Sequence, residues 1–585
     1  MRRRCVQNGI VIVAVLAFAA QWLNAQTSTT DVHQLSLEKL FPTDRVLDVQ
    51  ITVAEEDWET IRKQSRNFFE ALNEKRKYGP IAGPYTYVDA TVSIDGHDLG
   101  KIGLRKKGFI GSQSESRPSL KVKLNRHDAD ANVEGLTNLT FNNNLQDESL
   151  TEQFVGYGLF RDAGVPAPKC AYAHVQVNGE SLGVYSHVET MRQHFCKREF
   201  GSETGTLYEG TVVDFFDEWQ AAFEHKFGDD AAGRQMIVGL TKALPVDELD
   251  GDWEKVIEEF VDLDSFYRYW AVESLLGFWD GYTGNMNNYY VYLNPDDRKF
   301  HFMPWGLDAV FDKKSKLDHD ENAPVSVKCK GILAHKLYQT EAGRKRIASE
   351  LSSLLEKHWD EDAMIAELDR IEELLEPHVH ESQKISGPME RTRRFIRNRR
   401  ADVEKEIEGG LPDYERVPDP PFVMPKGASS RMVLLDAAYR DNFDVIKKHL
   451  ASGKDVNVKQ KDGTTLLMMA ALGGRVKMAS FLLEKGADVN SKKMDGSTAL
   501  HMAAFMARPE MVKMLLEKGA DAEIKNARGE TAYDGVASDW SPMLEGIYKF
   551  VGGLLKTEFD LERIEKTRPK VAEILKEHAE GTSEE

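Results

Sequence analysis

Residues 278–311 read F-W-D-G-Y-T-G-N-M-N-N-Y-Y-V-Y-L-N-P-D-D-R-K-F-H-F-M-P-W-G-L-D-A-V-F, and the interpretation of the chain turns on them. Asp280 and Asn285 stand five positions apart in a loop that follows a helical pattern. Residues 289–293 and 299–303 are rich in Tyr, Val and Phe and read as paired strands, turned by Asn294-Pro295-Asp296-Asp297. Asp308 comes soon after the second strand.

These residue types suit one chemistry. An Asn carbonyl and a carboxylate are hard oxygen ligands for magnesium or manganese. A second carboxylate can orient an acceptor hydroxyl and take its proton, which is most of what phosphoryl transfer asks of a protein besides charge neutralisation. The order Asp, Asn, hairpin, Asp matches that of H-R-D-x-x-x-x-N and D-F-G in protein kinases. On spacing alone, Asp and Asn capping backbone groups in turns is the commoner explanation. The upstream sequence changes that balance.

From Arg45 the string V-L-D-V-Q-I-T-V alternates as a strand does, and 55–70 reads as helix. Residues 86–95 and 99–105 form a predicted hairpin turned at Asp95-Gly96, and 171–177 with 182–189 a second, turned at Asn178-Gly179. Between them lie the strand S-L-K-V-K-L (119–124) and a helix over 149–163 that ends before Gly164 and Pro166. Lys121 and Lys123 share one face of their strand, because side chains repeat every second residue. Beyond about 215 the pattern is mainly helical, with the 289–304 strand pair as the one interruption. The class is α+β.

The pieces L-R-K-K-G-F-I-G-S (104–112), S-L-K-V-K-L, D-E-S-L-T-E-Q-F-V-G-Y-G-L-F-R-D-A-G-V-P-A-P (147–168), V-N-G-E-S-L-G-V-Y-S-H-V-E (177–189), G-T-L-Y (205–208) and P-W-G-L-D (304–308) resemble, in order and distance, the CotH-like (spore coat protein H) kinase family. The resemblance covers most of 45–405. It implies an atypical, two-lobed kinase-like fold that binds ATP with Mg2+ or Mn2+ and phosphorylates secreted proteins. Asp280 matches the family's catalytic aspartate, and Asn285 and Asp308 match its metal positions. Lys121, or else Lys123, would meet the nucleotide phosphates. Glu152 would pair with that lysine or remain a surface charge, and Glu189 would hold adenine or ribose at a hinge. Gly108, Gly111 and Ser112, with Arg105 and Lys107 nearby, would lie over phosphates or form a surface turn. Two positions depart from the family pattern. Trp305-Gly306-Leu307-Asp308 stands where W-D-x-D is usual, which puts one metal site in doubt, and Lys107 stands where Arg is more frequent, which loses bidentate phosphate geometry.

Downstream, 410–428 is rich in Pro and Gly and reads as a linker between a domain at 41–409 and a repeat region. Asp462-Gly463, Asp495-Gly496 and Gly529 recur there at an offset of 33, as do Ala437-Ala438, Ala470-Ala471 and Ala503-Ala504. With S-T-A-L-H-M-A-A at 497–504, this period is similar to that of ankyrin repeats, an all-α solenoid of interaction units. Repeats are expected over 429–545 and a helical cap over 546–585, with a protein substrate or scaffold as partner.

At the other end, Arg2–Arg4, the apolar run Ile10–Ala20 and small residues at Ala20 and Ala25 read as a signal peptide (1–25) followed by a loose polar leader (26–40). The expected location is secreted, periplasmic or cell envelope, with no transmembrane span in the mature chain. Net charge of −19, from 95 acidic and 76 basic residues, argues against nucleic-acid partners. Cys170, Cys196 and Cys329 remain after the signal and are expected as buried free thiols. The basic run 391–400 is expected as a solvated helix. Two functions compete: an exported protein kinase, and an inactive kinase-like interaction or structural module of the envelope or coat.

Overall fold

Alternation governs the first half of the chain. In the computed structural model, which describes residues 34–66, 71–80, 82–109, 111–244, 253–313, 323–414, 420–421, 428–460, 462–541, 544–548 and 559–582, seven strands close into a barrel. They are β1 (Val46–Val53), β2 (Val88–Ile94), β3 (His97–Lys106), β4 (Leu120–Lys123), β5 (Asn138–Asn142), β6 (Cys170–Val177) and β7 (Glu180–Glu189). The order around the barrel is β1-β2-β3-β4-β5-β7-β6, with β1 parallel to β6 and the remaining pairs antiparallel. Leu47, Val49, Leu104, Val122, Leu139 and Phe141 fill the interior, each fully buried. Each such side chain contributes about 1.5–3 kcal/mol of burial. The residues between them, Arg105 and Lys121 among these, face outward.

Closure of the barrel is not legible in the sequence, because N-L-T-F-N at β5 is short and flanked by Asn, so it carries no clear strand signal. Paired to β4 on one side and β7 on the other, it completes the ring. The end of the expected loose leader is also ordered. Leu35, Leu37, Leu40 and Phe41 pack into the barrel core, and Phe41 stacks on buried His187 at 4.5 Å. Four apolar residues in seven outweigh the polar stretch before them. The signal peptide, its cleavage positions and parts of the expected linker and cap lie outside the described residues.

A second sheet, ordered β11-β10-β8-β9, comprises β8 (Thr206–Gly210), β9 (Glu224–Phe227), β10 (Tyr289–Leu293) and β11 (Phe300–Pro304). The β10–β11 hairpin falls where the sequence places it, whereas β9 lies in a region read as helical. Behind it runs the helix Leu263–Leu276, N-capped by Asp262, whose carboxylate accepts the Ser265 N–H at 2.8 Å, and stopped by Gly277 at φ 64°. Phe266, Tyr282, Tyr289 and Phe302 form an aromatic cluster between helix and hairpin.

The basic run lies on the helix Ser386–Glu408 and is not wholly solvated. Arg399 is fully buried and donates to the carbonyls of Ser274, Leu275 and Val325, so it caps the C-terminus of Leu263–Leu276. Cys170, Cys196 and Cys329 are free and buried, as expected.

The chain divides into two compact units, one of residues 1–66 and 75–422, the other of 67–74 and 423–585. The second unit is built of short helix pairs such as Leu466–Gly473 with Val476–Glu484 and Ala499–Phe505 with Pro509–Glu517. The period of 33 has a direct physical cause. Asn457 bridges the Gly486 carbonyl and the Asp488 N–H, and Asn490, 33 residues on, does the same to Gly519 and Asp521. The backbone bonds Met494 N–H to Asp462 and Ala527 N–H to Asp495 tie successive turns at 2.7 Å. The helix Leu561–Thr582 places Ile564, Val571 and Leu575 in the same core. No helix among the described residues is long and apolar enough to cross a membrane.

Asn490→Ala removes both bridging bonds at once and is expected to destabilise the repeat unit by about 1–3 kcal/mol. The midpoint of urea unfolding, monitored by circular dichroism at the helix band, should fall accordingly.

Candidate functional site

The loop at 278–288 is held from beneath by two buried acids. Glu273, fully buried near the end of Leu263–Leu276, accepts the Tyr282 N–H at 3.0 Å and the Thr283 N–H at 2.8 Å, together with the Tyr269 and Thr283 hydroxyls. Those amides open the one-turn helix Tyr282–Asn285, where no intrahelical partner exists for them. Asp214 accepts the Tyr282 hydroxyl at 3.0 Å and the Ile332 N–H at 2.7 Å. Burial pushes both carboxyls up to about 7, against the hydrogen bonds that favour their charge. The loop therefore cannot shift without unpairing a buried acid.

On this base, three amides clamp Asp280. Its Oδ1 accepts Asn285 Nδ2 at 2.7 Å and Asn287 Nδ2 at 3.2 Å, and its Oδ2 accepts Asn288 Nδ2 at 3.1 Å. Met286 and Asn288 adopt left-handed backbone angles, the sharp turn that brings the three amides round. With its Nδ2 spent on Asp280, Asn285 keeps its carbonyl oxygen for another group.

Asp308 is half-buried. Its carboxyl is pushed up to about 7 by burial and then by the charge of Asp280, opposed by Lys107, with Asp147 adding to the rise. No other residue donates a hydrogen bond to that carboxylate among the described residues. Asp147 is itself buried and pushed up to about 6, and it accepts the Glu152 N–H at 2.9 Å. The charges of two other acids, Asp280 and Asp147, thus act on Asp308, with the Lys107 ammonium to offset them.

That ammonium, Lys107, comes just after the end of β3 and donates to Asn142, which bonds Gln153 at 2.6 Å, which in turn bonds Asn144 at 2.9 Å. Burial lowers Lys107 to about 8, with Asp308 resisting the fall. Lys121 is lowered to about 7, first by burial and then by Arg105, Arg192, Lys226 and Lys107. It lies directly across the strand pair from Arg105, an arrangement of like charges that costs stability. Its ammonium has no hydrogen bond or ion pair among the described residues. Arg105 is braced over the rings of Tyr87 and Tyr85, at 5.3 and 5.9 Å. Glu209 on β8, ion-paired to Lys226, also feels the Lys121 charge, so the outer face of β3–β4 looks across at the second sheet.

Asp280, Asn285 and Asp308 therefore come together, with Lys121 and Arg105 in the adjoining cationic cluster. Lys123 lies two cross-strand pairs further along, opposite Gly103 and Asn138. Glu152 begins the helix Glu152–Asp162 and accepts the Val310 N–H at 2.9 Å, which links that helix to the segment after Asp308. Glu189 is fully buried among protein partners: Arg198 binds it through both oxygens, and His194 and the Lys169 N–H complete its shell. Burial acts to raise its pKa, but the bonds from His194 and Arg198 outweigh that and hold it at about 2.

Several contributors escape sequence reasoning. Asn287 and Asn288 had a signal in the run N-M-N-N, yet nothing in it separates ligand from clamp. Glu273 and Asp214 had none, since a lone acid in an apolar helix or loop does not say what it binds. Gly306 acquires a physical reason. At φ 54°, a Cβ there would lie 2.7 Å from Asn288 Oδ1, so the missing side chain leaves room for the clamp.

The donor set fits a divalent cation: an amide carbonyl at Asn285 and a carboxylate at Asp308 that has no ion pair among the described residues. Asn285 and Asp308 would hold the ion.

Two family models match. One, described as CotH kinase protein, covers residues 104–409, and one of three ankyrin repeats covers 434–526. Inner spore coat protein H of Bacillus subtilis (strain 168) is 23% identical over 191 residues, which is 30% of this chain and 51% of that protein. Spore coat protein homolog 1 of Rhizopus delemar (strain RA 99-880) is 27% identical over 170 residues, 26% of this chain and 27% of that protein. Invasin CotH7 of the same organism is 26% identical over 168 residues, again 26% and 27% of the two chains. The chain thus spans about half of the Bacillus protein and about a quarter of each Rhizopus protein.

Asp308 keeps its proton in the folded protein to about pH 7, against 3.8 for an unperturbed group, so its ionisation removes stability as pH rises through that window. Asp308→Asn is expected to raise the melting temperature in chelator at about pH 8 by about 2–4 °C and to leave it unchanged at about pH 4. Mn2+ is expected to raise the melting temperature of the wild-type chain and to leave that of Asp308→Asn unchanged, read by thermal shift.

Proposed function

The chain belongs to the CotH kinase protein family, and on that footing we propose that it is an exported atypical protein kinase that transfers the γ-phosphate of ATP to a protein hydroxyl. The observation that carries the reading is the pairing of Asp280 and Asp308, set beside a lysine held among other cations. The barrel and the second sheet with its helices take the parts of the two lobes.

Lys121, Arg105 and Lys107 hold the phosphates, whose negative charge relieves the repulsion among them. Asn285 and Asp308 would hold Mg2+ or Mn2+, which would supply neutralisation of the charge that builds on the phosphate oxygens. Asp280, oriented by Asn285, Asn287 and Asn288, accepts the proton of the acceptor hydroxyl as it attacks. Glu273 fixes the height of that carboxylate through the Tyr282 and Thr283 amides. The ankyrin repeats, interaction units by nature, bring the substrate or a scaffold to the kinase domain. The charged start, apolar run and small residues at 2–25 support export to the cell exterior or envelope.

A second reading, an inactive kinase-like module that serves the coat or envelope by binding alone, draws on Gly306, where the family usually carries an acid. The geometry at Gly306 favours the first reading, because an acid there would displace Asn288 from Asp280.

Transfer of label from γ-labelled ATP to a generic protein substrate should fall at least about 100-fold in Asp280→Ala. Gly306→Ala should lower kcat by roughly tenfold and leave the KM for ATP unchanged, since the clamp orients the base and does not touch the nucleotide. Equal incorporation by wild type and Asp280→Ala would move the assignment to the binding module.

Lys121 is lowered to about 7 and must be protonated to bind phosphate, so metal-free ATP affinity is expected to weaken by up to about tenfold per pH unit from about 7 to about 9. Lys121→Arg should flatten that dependence in a calorimetric titration.

A further inference from the structure

At the other end of the β10–β11 hairpin, away from Asp280 and Asp308, three further donors converge. One ligand atom each from Asp262, Asp297 and His301 lies within 4.8 Å of the other two. Their approach is set by the backbone. The Asp262 N–H donates to the Phe300 carbonyl at 3.2 Å and the Phe300 N–H to the Phe260 carbonyl at 2.7 Å, so the N-cap of Leu263–Leu276 is laid against the start of β11. Asp297, in the hairpin turn, places Oδ2 at 2.7 Å from His301 Nε2 and uses Oδ1 on the Lys299 N–H. Asp262 uses Oδ1 on the Ser265 N–H. Phe200 packs edge-on against the His301 ring at 5.2 Å, and the His301 side chain is only 12% exposed.

The charges do not balance. Neither Asp262 nor Asp297 is ion-paired to a lysine or arginine among the described residues, although both are brought to one imidazole. Two carboxylates and one imidazole make a donor set for a borderline transition ion, because magnesium and calcium prefer oxygen alone. Zinc takes such ligands at about 2.0–2.2 Å, which places donor atoms somewhat over about 3 Å apart. Small side-chain rotations would bring the donors to that spacing, with water in the fourth position and the cation taking the place of the Asp297–His301 hydrogen bond.

We propose that Asp262, Asp297 and His301 form a second, non-catalytic site for a divalent transition ion of the zinc type, which braces the hairpin turn to the start of the helix Leu263–Leu276. The site would stiffen the frame on which the loop stands, since that helix carries Glu273 at its far end and the hairpin connects the segment of Asn288 to that of Asp308. It is independent of phosphoryl transfer.

The test is binding by the full chain, stripped with chelator and dialysed against Zn2+ in excess Mg2+, with Co2+ absorption as a spectroscopic check on the imidazole ligand. Wild type and Asp308→Asn should each retain one equivalent more than His301→Gln, whose affinity should be at least about tenfold weaker. Asp297→Asn should show the same loss, and it decides the matter should His301→Gln fail to fold. Wild type that binds no Zn2+, or variants that bind it as tightly as wild type, would overturn the proposal.

Discussion

Repulsion organises the CotH domain. Asp308 is brought towards Asp280 and Asp147 with Lys107 as the near counter-charge, and Lys121 is brought towards Arg105, Arg192, Lys226 and Lys107. Neither cluster is comfortable alone, and each has what the other lacks. On the proposed function, a divalent cation would relieve the first and a phosphate chain the second, and metal-bound nucleotide would supply both. Such unfavourable local charge persists only where the rest of the fold over-determines it.

The over-determination is visible in the scaffold. Barrel closure fixes β3 against β4 and so fixes Arg105 opposite Lys121. Asp280 lies on a loop pinned by Glu273 and Asp214, and the helix that carries Glu273 is itself capped at its end by buried Arg399. Glu152 ties the helix after β5 to the strand exit that bears Asp308. Three separate parts of the chain are thus coupled through hydrogen bonds whose loss would leave a buried charge unpaired, which is costly.

The parts legible in advance are those a sequence encodes locally. The 33-residue period is one, because the same asparagine bridge and the same Asp-Gly turn recur from unit to unit. Strands β1, β2, β3 and β10 are others, legible from alternation and from Asp-Gly and Asn-Pro turns. The β5 strand is not, because five residues between asparagines acquire strand character only from neighbours on both sides. Leu35 to Phe41 are hidden for a similar reason: their apolar character matters only once a barrel end exists to receive them. At the site, Asp280, Asn285 and Asp308 can be named from the family resemblance of the sequence around them, whereas the roles of Asn287, Asn288 and Glu273 depend on which way an amide or carboxylate turns. Glu189 shows the converse, since the end of a strand does not reveal that Arg198 and His194 already enclose the side chain.

The most direct measurement is anomalous diffraction at the manganese edge from crystals of the full chain grown with Mn2+ and ADP. The account predicts a peak bonded to Asn285 Oδ1 and the Asp308 carboxylate, with phosphate oxygens between it and Lys121. Nucleotide bound elsewhere, or a manganese peak that avoids both residues, would contradict it.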